Sequence, residues 1–415
     1  MELFLNGDGL RRLGRFEEAL ACYQSAIALS PPFAEARCHC ANVHLLLGRF
    51  DEAIRAYDEA ITARADYVHA HANRGVALQS LARHDEALAS YNTALSFKDD
   101  YAGARFNRGL LRLTLGELPD AWADFEWRYE DSNSTASRER RAFPKPRWCG
   151  EPLVGRSILV YCEQGYGDGL QFVRYVRCLA ARGARVILEA HRPLIQLFAD
   201  IPGVTQLVVR GNPLPAFDYH CPLMSLPSVF GTTLNDVPFA EGYLASDPGK
   251  VGEWRARLGE KRMRRVGVAW SGNPIHANDR RRSIALEALE PFLPEGIEYV
   301  ALQTEVRHQD QAALGGGRFR DFGSELQDFS DTAALCECLD LIVSVDTSVA
   351  HLSGSLARPT WILLPNPADW RWLLTRRDSP WYRSMRLFRQ GEDRGWLPVF
   401  KALREALELW REAPQ

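Results

Sequence analysis

Small and aromatic residues recur with a fixed spacing along the first third of the chain. One slot of a 34-residue grid holds glycine or alanine, at Gly14, Gly48, Ala82 and Gly116. A second slot holds alanine and a third an aromatic ring, at Ala19, Ala53, Ala87 and Ala121 and at Tyr23, Tyr57, Tyr91 and Phe125. Small residues let helices approach, the ring fills the groove between helix pairs, and the glycine permits a turn. The pattern predicts about four helix pairs over residues 1–130.

The pattern changes after Glu130. Residues 131–154 are polar and contain prolines, as expected of a linker. Short apolar runs then alternate with amphipathic helical stretches, which is typical of a parallel α/β sheet. The predicted strands are 158–162, 185–190, 205–210, 266–270, 299–303, 341–345 and 360–365. The predicted helices are 170–182, 193–199, 250–258, 284–292, 332–339, 348–356 and 399–411.

The alternation of strands and helices restarts part-way along this region. This indicates two successive Rossmann-like halves, 155–248 and 249–398, with a closing helix in 399–415. A single long doubly wound sheet is the alternative. In the two-half arrangement, a ligand binds in the cleft that faces the carboxyl ends of both sets of strands. The predicted fold class is α + α/β, an α-solenoid followed by two Rossmann-like domains.

Composition narrows the class of protein. Of the 415 residues, 46% are hydrophobic and 25% are charged, as in an ordinary soluble globular protein. The formal net charge of -3 gives no overall attraction to nucleic acid or to an anionic membrane. We find neither a leader pattern at the N-terminus nor an apolar stretch of the ~18–20 residues that would span a bilayer. The nine scattered cysteines show no disulfide framework, so we expect a reducing cytoplasm.

Three loops follow predicted strands at positions where α/β proteins build their sites. The first loop, Glu163–Gly169, is rich in glycine. Its Gly165 and Gly167 allow a tight turn and a close approach of a ligand to the backbone. Asp168 lies at the start of the next helix, where it serves either as a plain N-cap or as a general base that projects into the cleft.

The second loop, Ser271–Ser283, contains Asn273 and three consecutive arginines, of which Arg281 and Arg282 are the last two. A guanidinium group can neutralise a phosphate and bind it through two parallel hydrogen bonds. Because the loop follows a buried strand, it is predicted to hold a diphosphate. An exposed basic loop with no ligand is the alternative.

The third loop, Asp346–His351, lies between a strand and a helix. The free backbone N–H groups of a helix N-terminus form an anion site, and Thr347 and Ser348 add hydroxyl donors. The carboxylate of Asp346 can bind sugar hydroxyls. His351 is one helical turn further on and either points into the same pocket or is a satisfied core histidine.

The 34-residue unit resembles the tetratricopeptide repeat (TPR), and the resemblance covers about residues 1–130. TPR arrays stack into a superhelix whose concave surface binds peptides or proteins. Polar residues of the first helices are predicted to face that groove, namely Asn42, Asn73, Asn107, Arg74 and Arg108. The alternative is that the array only stabilises the protein or forms a dimer.

Residues 155–412 resemble the glycosyltransferase family that contains the ADP-heptose:lipopolysaccharide heptosyltransferases, which is glycosyltransferase family 9. That family has the GT-B fold, with an acceptor half and a donor half. The resemblance implies that Asp168, in the Gly167-Asp168 pair, is the catalytic base. It also implies that Arg282, or alternatively Arg281, binds the donor diphosphate where the family usually has lysine. The segment Asp346-Thr347-Ser348-Val349-Ala350-His351 is similar to the family's segment for the donor sugar and phosphate.

Two departures lie in the donor pocket. Ser348 replaces the family's usual glycine, and residues 365–370 stand where a Gly-Pro segment is common. The resemblance therefore does not carry ADP-heptose over as the donor. Trp370 and Trp372 are candidates for stacking on a base or sugar, although packing roles are commoner for tryptophan. The fusion of TPR repeats to this domain resembles O-GlcNAc transferases and bacterial flagellin glycosyltransferases, where the array presents a protein acceptor.

These features lead us to expect a metal-independent, inverting glycosyltransferase. It would move a sugar from a nucleotide-sugar donor to an acceptor hydroxyl, and a protein held by the TPR array is a candidate acceptor. The sequence has no Asp-x-Asp pair of the kind that holds a diphosphate through a divalent cation, so neither a metal nor a cofactor is expected. A catalytically inactive TPR adaptor with a nucleotide-sugar-binding-like domain is the alternative, and a hydrolase or epimerase of nucleotide sugars is a third possibility.

Overall fold

Consecutive helices make up the first unit of the computed structural model, Met1–Arg140. The structure describes residues 1–276 and 278–414, so Ala277 of the second loop and Gln415 of the closing segment lie outside it. The helices are α1 (Glu2–Arg12), α2 (Phe16–Leu29), α3 (Ala34–Leu46), α4 (Phe50–Ala63), α5 (Val68–Ser80), α6 (His84–Phe97), α7 (Ala102–Leu115), α8 (Leu118–Phe125) and α9 (Thr135–Arg138). They match the four predicted helix pairs, with one further short helix.

The repeated glycine slot provides a left-handed residue between the two helices of each pair. Gly14, Gly48 and Gly116 have φ of 75°, 73° and 86°, a backbone conformation that glycine adopts without a steric penalty. Ala82 occupies the same slot with φ of 58°. An L residue in this region is less favourable, so the repeat imposes the turn even where the glycine is missing.

The small and aromatic slots meet inside the helix stack. The rings of Tyr23, Tyr57 and Tyr91 are fully buried. A Cβ atom on Gly75 of α5 would lie 2.6 Å from the ring of Tyr91 on α6. The helices therefore approach as closely as the small residues allow, which is the packing that the periodicity predicts.

Two of the predicted groove residues are engaged within the helix stack. The guanidinium group of Arg74 donates to Asp58 on α4 at 2.6 Å. Arg108 donates to Asp124 on α8 through Nε at 2.6 Å and Nη2 at 2.9 Å. These arginines therefore join first helices to second helices, whereas the sequence analysis placed them in the groove.

The predicted linker contains ordered structure. Helix α9 lies in its first part, and Arg147 forms an isolated parallel bridge with His220. The indole ring of Trp148 is fully buried, and its backbone N–H donates to the carbonyl of His220 at 2.8 Å. The residues after Arg140 thus belong to the second unit, Arg141–Gln415.

The second unit begins with a four-stranded parallel sheet whose strand order is β3-β2-β1-β4. Its strands are β1 (Ser157–Tyr161), β2 (Arg185–Ala190), β3 (Val204–Val209) and β4 (Tyr219–Pro222). Its helices are α10 (Tyr166–Phe172), α11 (Tyr175–Ala181), α12 (Ile195–Phe198) and α13 (Leu226–Phe230). Helices follow β1 and β2, as the alternation of short apolar runs and amphipathic stretches predicts.

A six-stranded parallel sheet follows, with strand order β10-β9-β8-β5-β6-β7. Its strands are β5 (Arg264–Ala269), β6 (Ile297–Ala301), β7 (Phe319–Asp321), β8 (Leu341–Val345), β9 (Thr360–Leu364) and β10 (Met385–Arg389). Its helices are α14 (Pro248–Leu258), α15 (Asp279–Arg282), α16 (Leu286–Leu289), α17 (Gln311–Leu314), α18 (Phe329–Glu337), α19 (Ser348–Ser355) and α20 (Leu397–Glu412). This is the strand order of a Rossmann domain. The chain therefore forms two sheets and not one long sheet.

The sequence analysis missed three strands and one helix break. Strands β4 and β7 have four and three residues, and β10 is an edge strand that carries two arginines, so none of them is a clear apolar run. The single helix predicted at 170–182 is two helices, α10 and α11. The break contains Arg174, which is fully buried and donates to the carbonyl of Trp381 at 2.9 Å.

Candidate functional site

The site lies where the strand order of each sheet reverses. In the six-stranded sheet the reversal falls between β5 and β8, and loops leave their carboxyl ends at residues 270–276 and 346–347. In the four-stranded sheet it falls between β1 and β4, and the loop after β1 leads into α10. Open α/β sheets bind their ligands at such switch points, because the loops diverge there and leave a crevice.

Arg282 joins the two loops of the six-stranded sheet. Its Nη1 donates to the backbone carbonyl of Asp346 at 2.8 Å. Its guanidinium group lies against Gly272, where a Cβ atom would be 2.8 Å from Nη2. Its buried Nε has no hydrogen-bond partner among the described residues. Arg282 is therefore the half-buried cation at this edge of the sheet, whereas Arg281 is exposed.

A buried network shapes the loop that carries Arg282. Nη2 of Arg307 donates to the carbonyl of Gly272 at 3.0 Å and to Asp279 at 2.6 Å. Ser283 donates its hydroxyl to Asp279 at 2.7 Å. Asn273 is exposed and accepts the backbone N–H of Ile275 at 2.9 Å, which stabilises the turn at the outer end of the loop.

The N-terminus of α19 opens at the same edge. The N-cap residue, Thr347, makes no capping hydrogen bond with its side chain, and its hydroxyl instead lies 3.3 Å from the hydroxyl of Ser344. Ser348, the first residue of the helix, is half-buried. Backbone N–H groups at a helix N-terminus attract an anion, so α19 and Arg282 present positive charge from two sides.

Asp168 comes from the other sheet's domain, in the first turn of α10. Its Oδ2 accepts the backbone N–H of Gly165 at 3.0 Å, and its side chain is 18% exposed. Burial raises the pKa of this carboxyl group, and the nearby Arg371 opposes that rise. Gly165 is therefore the N-cap residue, and Asp168 is the third residue of the helix, whose desolvated carboxylate accepts the N–H group of the N-cap. The role of Asp168 as a general base stays a prediction.

Arg371 is the central group of the site, and the sequence analysis missed it. It lies in a 3₁₀ turn, Trp370–Trp372, after β9. Its Nη2 donates to Oδ1 of Asp168 at 2.5 Å and its Nε donates to Oε1 of Gln171 at 2.5 Å. Its Nη1 donates to Asp369 at 2.9 Å. One guanidinium group from the six-stranded domain therefore holds two side chains of α10.

The carboxyl group of Asp346 is buried and has a raised pKa. It is 9% exposed. Burial, followed by the negative charge of Asp369, raises the pKa of Asp346 to about 6, although Arg282, the Trp372 indole and Arg371 act in the opposite direction. The indole N–H of Trp372 makes no complete hydrogen bond among the described residues, so we attribute the rise to burial and like charge. Asp346 thus exchanges a proton near neutral pH.

His351 packs between the two domains. Its Nδ1 lies 2.9 Å from the hydroxyl of Tyr382, and its ring stacks on Trp372 with a centroid distance of 5.5 Å. A Cβ atom on Gly167 would lie 2.8 Å from Cδ2 of His351, so the glycine admits the histidine ring and not a ligand. Burial holds the pKa of His351 well below its usual range. His351 is therefore a neutral packing residue, which is one of the two interpretations that its position allowed.

Trp370 is also packed. It is 6% exposed, and the guanidinium carbon of Arg371 lies 4.5 Å from its ring centroid. The ring meets Trp381 edge-on at 5.8 Å. This arrangement favours a packing role over stacking on a nucleotide. Among the described residues, no three His, Cys, Asp or Glu side chains are grouped so as to hold a metal ion.

A single signal in the sequence pointed to the missed residues. Asp369 and Arg371 lie in the segment Asp-Trp-Arg-Trp, which directly follows the strand that precedes the C-terminal region. A charge that apolar rings bury must be paired, so two opposite charges among tryptophans indicate a buried ion pair. Arg307 gave no such signal, since it lies in a polar stretch after β6.

Comparison with known proteins identifies the helical unit. The TPR repeat family matches residues 7–48 and 42–81, and the tetratricopeptide repeat matches residues 68–101. The first unit is therefore an array of TPR repeats, as predicted. The second unit is a region of parallel α/β sheets, and the described residues contain no helix long and apolar enough to cross a membrane.

One curated relative extends beyond the repeats. Protein FlbA of Caulobacter vibrioides is 27% identical over 323 residues, which is 71% of this chain and 53% of that protein. The chain thus spans about half the length of this relative. The solved structures that resemble it include the Arabidopsis OM64 TPR domain, at 27% identity over 26% of this chain and 91% of that chain with a TM-score of 0.26. The second TPR domain of human RPAP3 in complex with an HSP70 peptide is 26% identical over 26% of this chain and 89% of that chain, with a TM-score of 0.25.

Proposed function

We propose that the second unit is a GT-B glycosyltransferase that moves a sugar from a nucleotide-sugar donor to an acceptor hydroxyl with inversion. The observation that carries the proposal is that the loop after β1, which leads to Asp168, packs against the helix that follows β8: a Cβ atom on Gly167 would lie 2.8 Å from the ring of His351 on α19. Within the six-stranded domain, Arg282 donates to the carbonyl of Asp346 at 2.8 Å, next to the start of the same helix. A carboxylate, a cation and a helix N-terminus would then face a donor diphosphate, which is the arrangement that such a transfer requires.

The donor would lie against the six-stranded domain. Arg282 and the N-terminus of α19 at Thr347 and Ser348 would bind its diphosphate, since both present positive charge to the crevice. The carboxyl group of Asp346 suits sugar hydroxyls because its oxygens accept hydrogen bonds, and burial raises its pKa so that its protonated form, which can also donate, is easier to reach. The guanidinium charge of Arg282 makes a divalent cation unnecessary in this mechanism.

The acceptor would lie against the four-stranded domain, next to Asp168. In the reaction, Asp168 takes the proton of the acceptor hydroxyl while the oxygen forms a bond to the anomeric carbon. The bond from that carbon to the diphosphate oxygen breaks, and the leaving nucleotide diphosphate carries the electron pair. Arg282 and the N–H groups of α19 stabilise the charge that develops on the leaving group.

The TPR unit would present a protein or peptide acceptor. In the solved structure of human RPAP3, a TPR domain holds an HSP70 peptide. In this chain, part-buried amides lie along the first helices, where Asn73 donates to Asn42 at 2.9 Å. Asparagine side chains suit an extended backbone because they both donate and accept hydrogen bonds. The acceptor would thus be a polypeptide side chain that bears a hydroxyl group.

One observation favours a second candidate, an inactive adaptor that binds nucleotide sugars. Each carboxylate oxygen of Asp168 already accepts a hydrogen bond, from Arg371 and from the backbone of Gly165. A paired carboxylate is a weaker base than a free one. An adaptor would bind the donor and release it unchanged, so turnover separates the two candidates.

The test is a screen of the full chain against ADP-, GDP-, UDP-, CMP- and dTDP-sugars, by thermal shift and then by release of nucleoside diphosphate. We expect Asp168→Asn to bind the stabilising donor within about threefold of the wild type and to lose transfer by about 100-fold or more. Arg282→Met should weaken nucleoside diphosphate binding by about tenfold or more, whereas its exposed neighbour Arg281→Met should have a smaller effect. Unchanged turnover in Asp168→Asn would refute the assignment of the base, and donor binding with no turnover in the wild type would favour the adaptor.

A further inference from the structure

The guanidinium group of Arg371 joins the two domains of the second unit. Its side chain is 8% exposed. From the six-stranded domain it reaches two residues of α10 that are one helical turn apart, Asp168 and Gln171, each at 2.5 Å. Gln171 is fully buried. The planar guanidinium group is therefore fixed at both of its edges, which a lysine ammonium group could not reproduce.

Aromatic packing restricts the guanidinium group further. Its central carbon lies 4.5 Å from the ring centroid of Trp370 and 5.6 Å from that of Phe172. Asp369 accepts both the backbone N–H of Arg371, at 3.0 Å, and its Nη1, at 2.9 Å. Arg371 thus has one orientation, and Asp168 takes its orientation from it.

We propose that Arg371 is a positioning residue for Asp168, and that the catalytic base is assembled only when the two domains are closed. This inference rests on the proposed function, since it assigns the group that prepares the base of that reaction. Asp168 lies on α10 of one domain and Arg371 after β9 of the other, 203 residues apart in the sequence. Opening the crevice would separate them and leave Asp168 without its orienting partner.

A residue that only joined the domains would lower the rate at every pH by the same factor. A positioning residue acts on the ionisation of Asp168 as well. The charged and titratable groups that face Asp168 are Arg371 and Asp369 from the turn after β9 and His276 from the loop after β5. Arg371 favours the ionised form of Asp168, so its removal raises the pKa of that carboxyl group and moves the acidic limb of the rate profile to higher pH.

The experiment measures kcat and KM of the full chain from pH 5 to 9.5, with the nucleotide sugar that the screen identifies. Arg371→Met should lower kcat at neutral pH by about 100-fold, leave the donor KM within about threefold, and move the acidic limb to higher pH, so that the loss of rate is largest at the acidic end of the range. Arg371→Lys should keep the limb in place and lower kcat by about tenfold, because it retains the charge and loses the planar fork.

The matched control is Arg376→Met, which removes an exposed ion pair with Asp378 in the same domain and should change neither parameter. A loss in Arg371→Met that is equal at every pH, or no loss at all, would overturn the positioning role. If Arg371→Met fails to fold, Arg371→Lys provides the test. A kcat of Arg371→Lys equal to that of the wild type would overturn the proposal. A wild-type protein that consumes none of the donors would instead defeat the proposed function itself, so the two failures are distinguishable.

Discussion

Replacing Asp346 with asparagine tests the electrostatic description of the crevice. Burial and the charge of Asp369 raise the pKa of Asp346 from 3.8 to about 6 in the folded protein. In the unfolded chain an aspartate titrates at about 3.9. The folded protein therefore binds this proton more tightly than the unfolded chain does. The stabilisation that protonation provides is complete below about pH 4 and is lost as the pH rises through about 6.

The magnitude follows from the same two values. One pKa unit corresponds to about 1.4 kcal/mol. At a pH well above 6, the ionised carboxyl group of Asp346 therefore lowers the free energy of unfolding by about 3 kcal/mol. Asparagine has no charge and avoids this cost at every pH. Because the unfolded chain is already largely ionised at pH 4.5, Asp346→Asn should gain about 2 kcal/mol of stability relative to the wild type between pH 4.5 and pH 8. In a domain of this size that corresponds to about 4–8 °C in Tm.

The assay is thermal unfolding of the wild type and the variant, followed by tryptophan fluorescence at half-unit steps from pH 4.5 to 8 without nucleotide. Most of the tryptophans lie in the second unit, so fluorescence reports on the domain that contains the substitution. Asp378→Asn is the control. Asp378 is 65% exposed, and Arg376 lowers the pKa of its carboxyl group. The Tm of this variant should therefore not increase relative to that of the wild type as the pH rises.

The change of the Tm difference with pH is the decisive quantity, because the lost carboxylate contacts add only an offset that does not depend on pH. A difference that is the same at pH 5 and pH 8 would refute the raised pKa of Asp346. If instead the Tm of the wild type increases relative to that of Asp346→Asn as the pH rises, the pKa of Asp346 is lowered, and the charges of Arg282 and Arg371 outweigh the effect of burial. In either case Asp346 would be a permanently ionised carboxylate and would not donate a hydrogen bond to a sugar.

Two further predictions concern glycines at close contacts. Gly167→Ala places a Cβ atom 2.8 Å from the His351 ring, so helices α10 and α19 should move apart. We expect weaker nucleotide-sugar binding in titration calorimetry and faster proteolysis of the second unit. Gly75→Ala places a Cβ atom 2.6 Å from the Tyr91 ring and should destabilise the TPR unit by about 1–3 kcal/mol in urea unfolding followed by circular dichroism. Gly9→Ala, whose Cβ atom meets nothing within 4 Å, is the control for both, and equal behaviour of all three variants would refute the packing argument.

The sequence by itself determined the elements that depend on local pattern. The 34-residue period predicted the TPR repeats, because each repeat contacts mainly its neighbours and the same slots must recur. Apolar runs of five or six residues predicted β2 and β8 with their observed bounds, because a buried parallel strand has few polar residues. The loops after β1, β5 and β8 were predicted as site loops for the same reason, since the carboxyl ends of parallel strands share one edge.

Only the tertiary structure decided how the loops from the two domains meet. The pairing of Asp168 with Arg371 joins residues 203 positions apart, and the period of a helix or strand carries no information over that distance. The same packing turned Gly167 toward His351. The pKa of Asp346 rises within the six-stranded domain, where folding buries its carboxyl group and brings Asp369 close. Local pattern therefore specified the loops that could form the site, and tertiary packing specified the partners of their side chains.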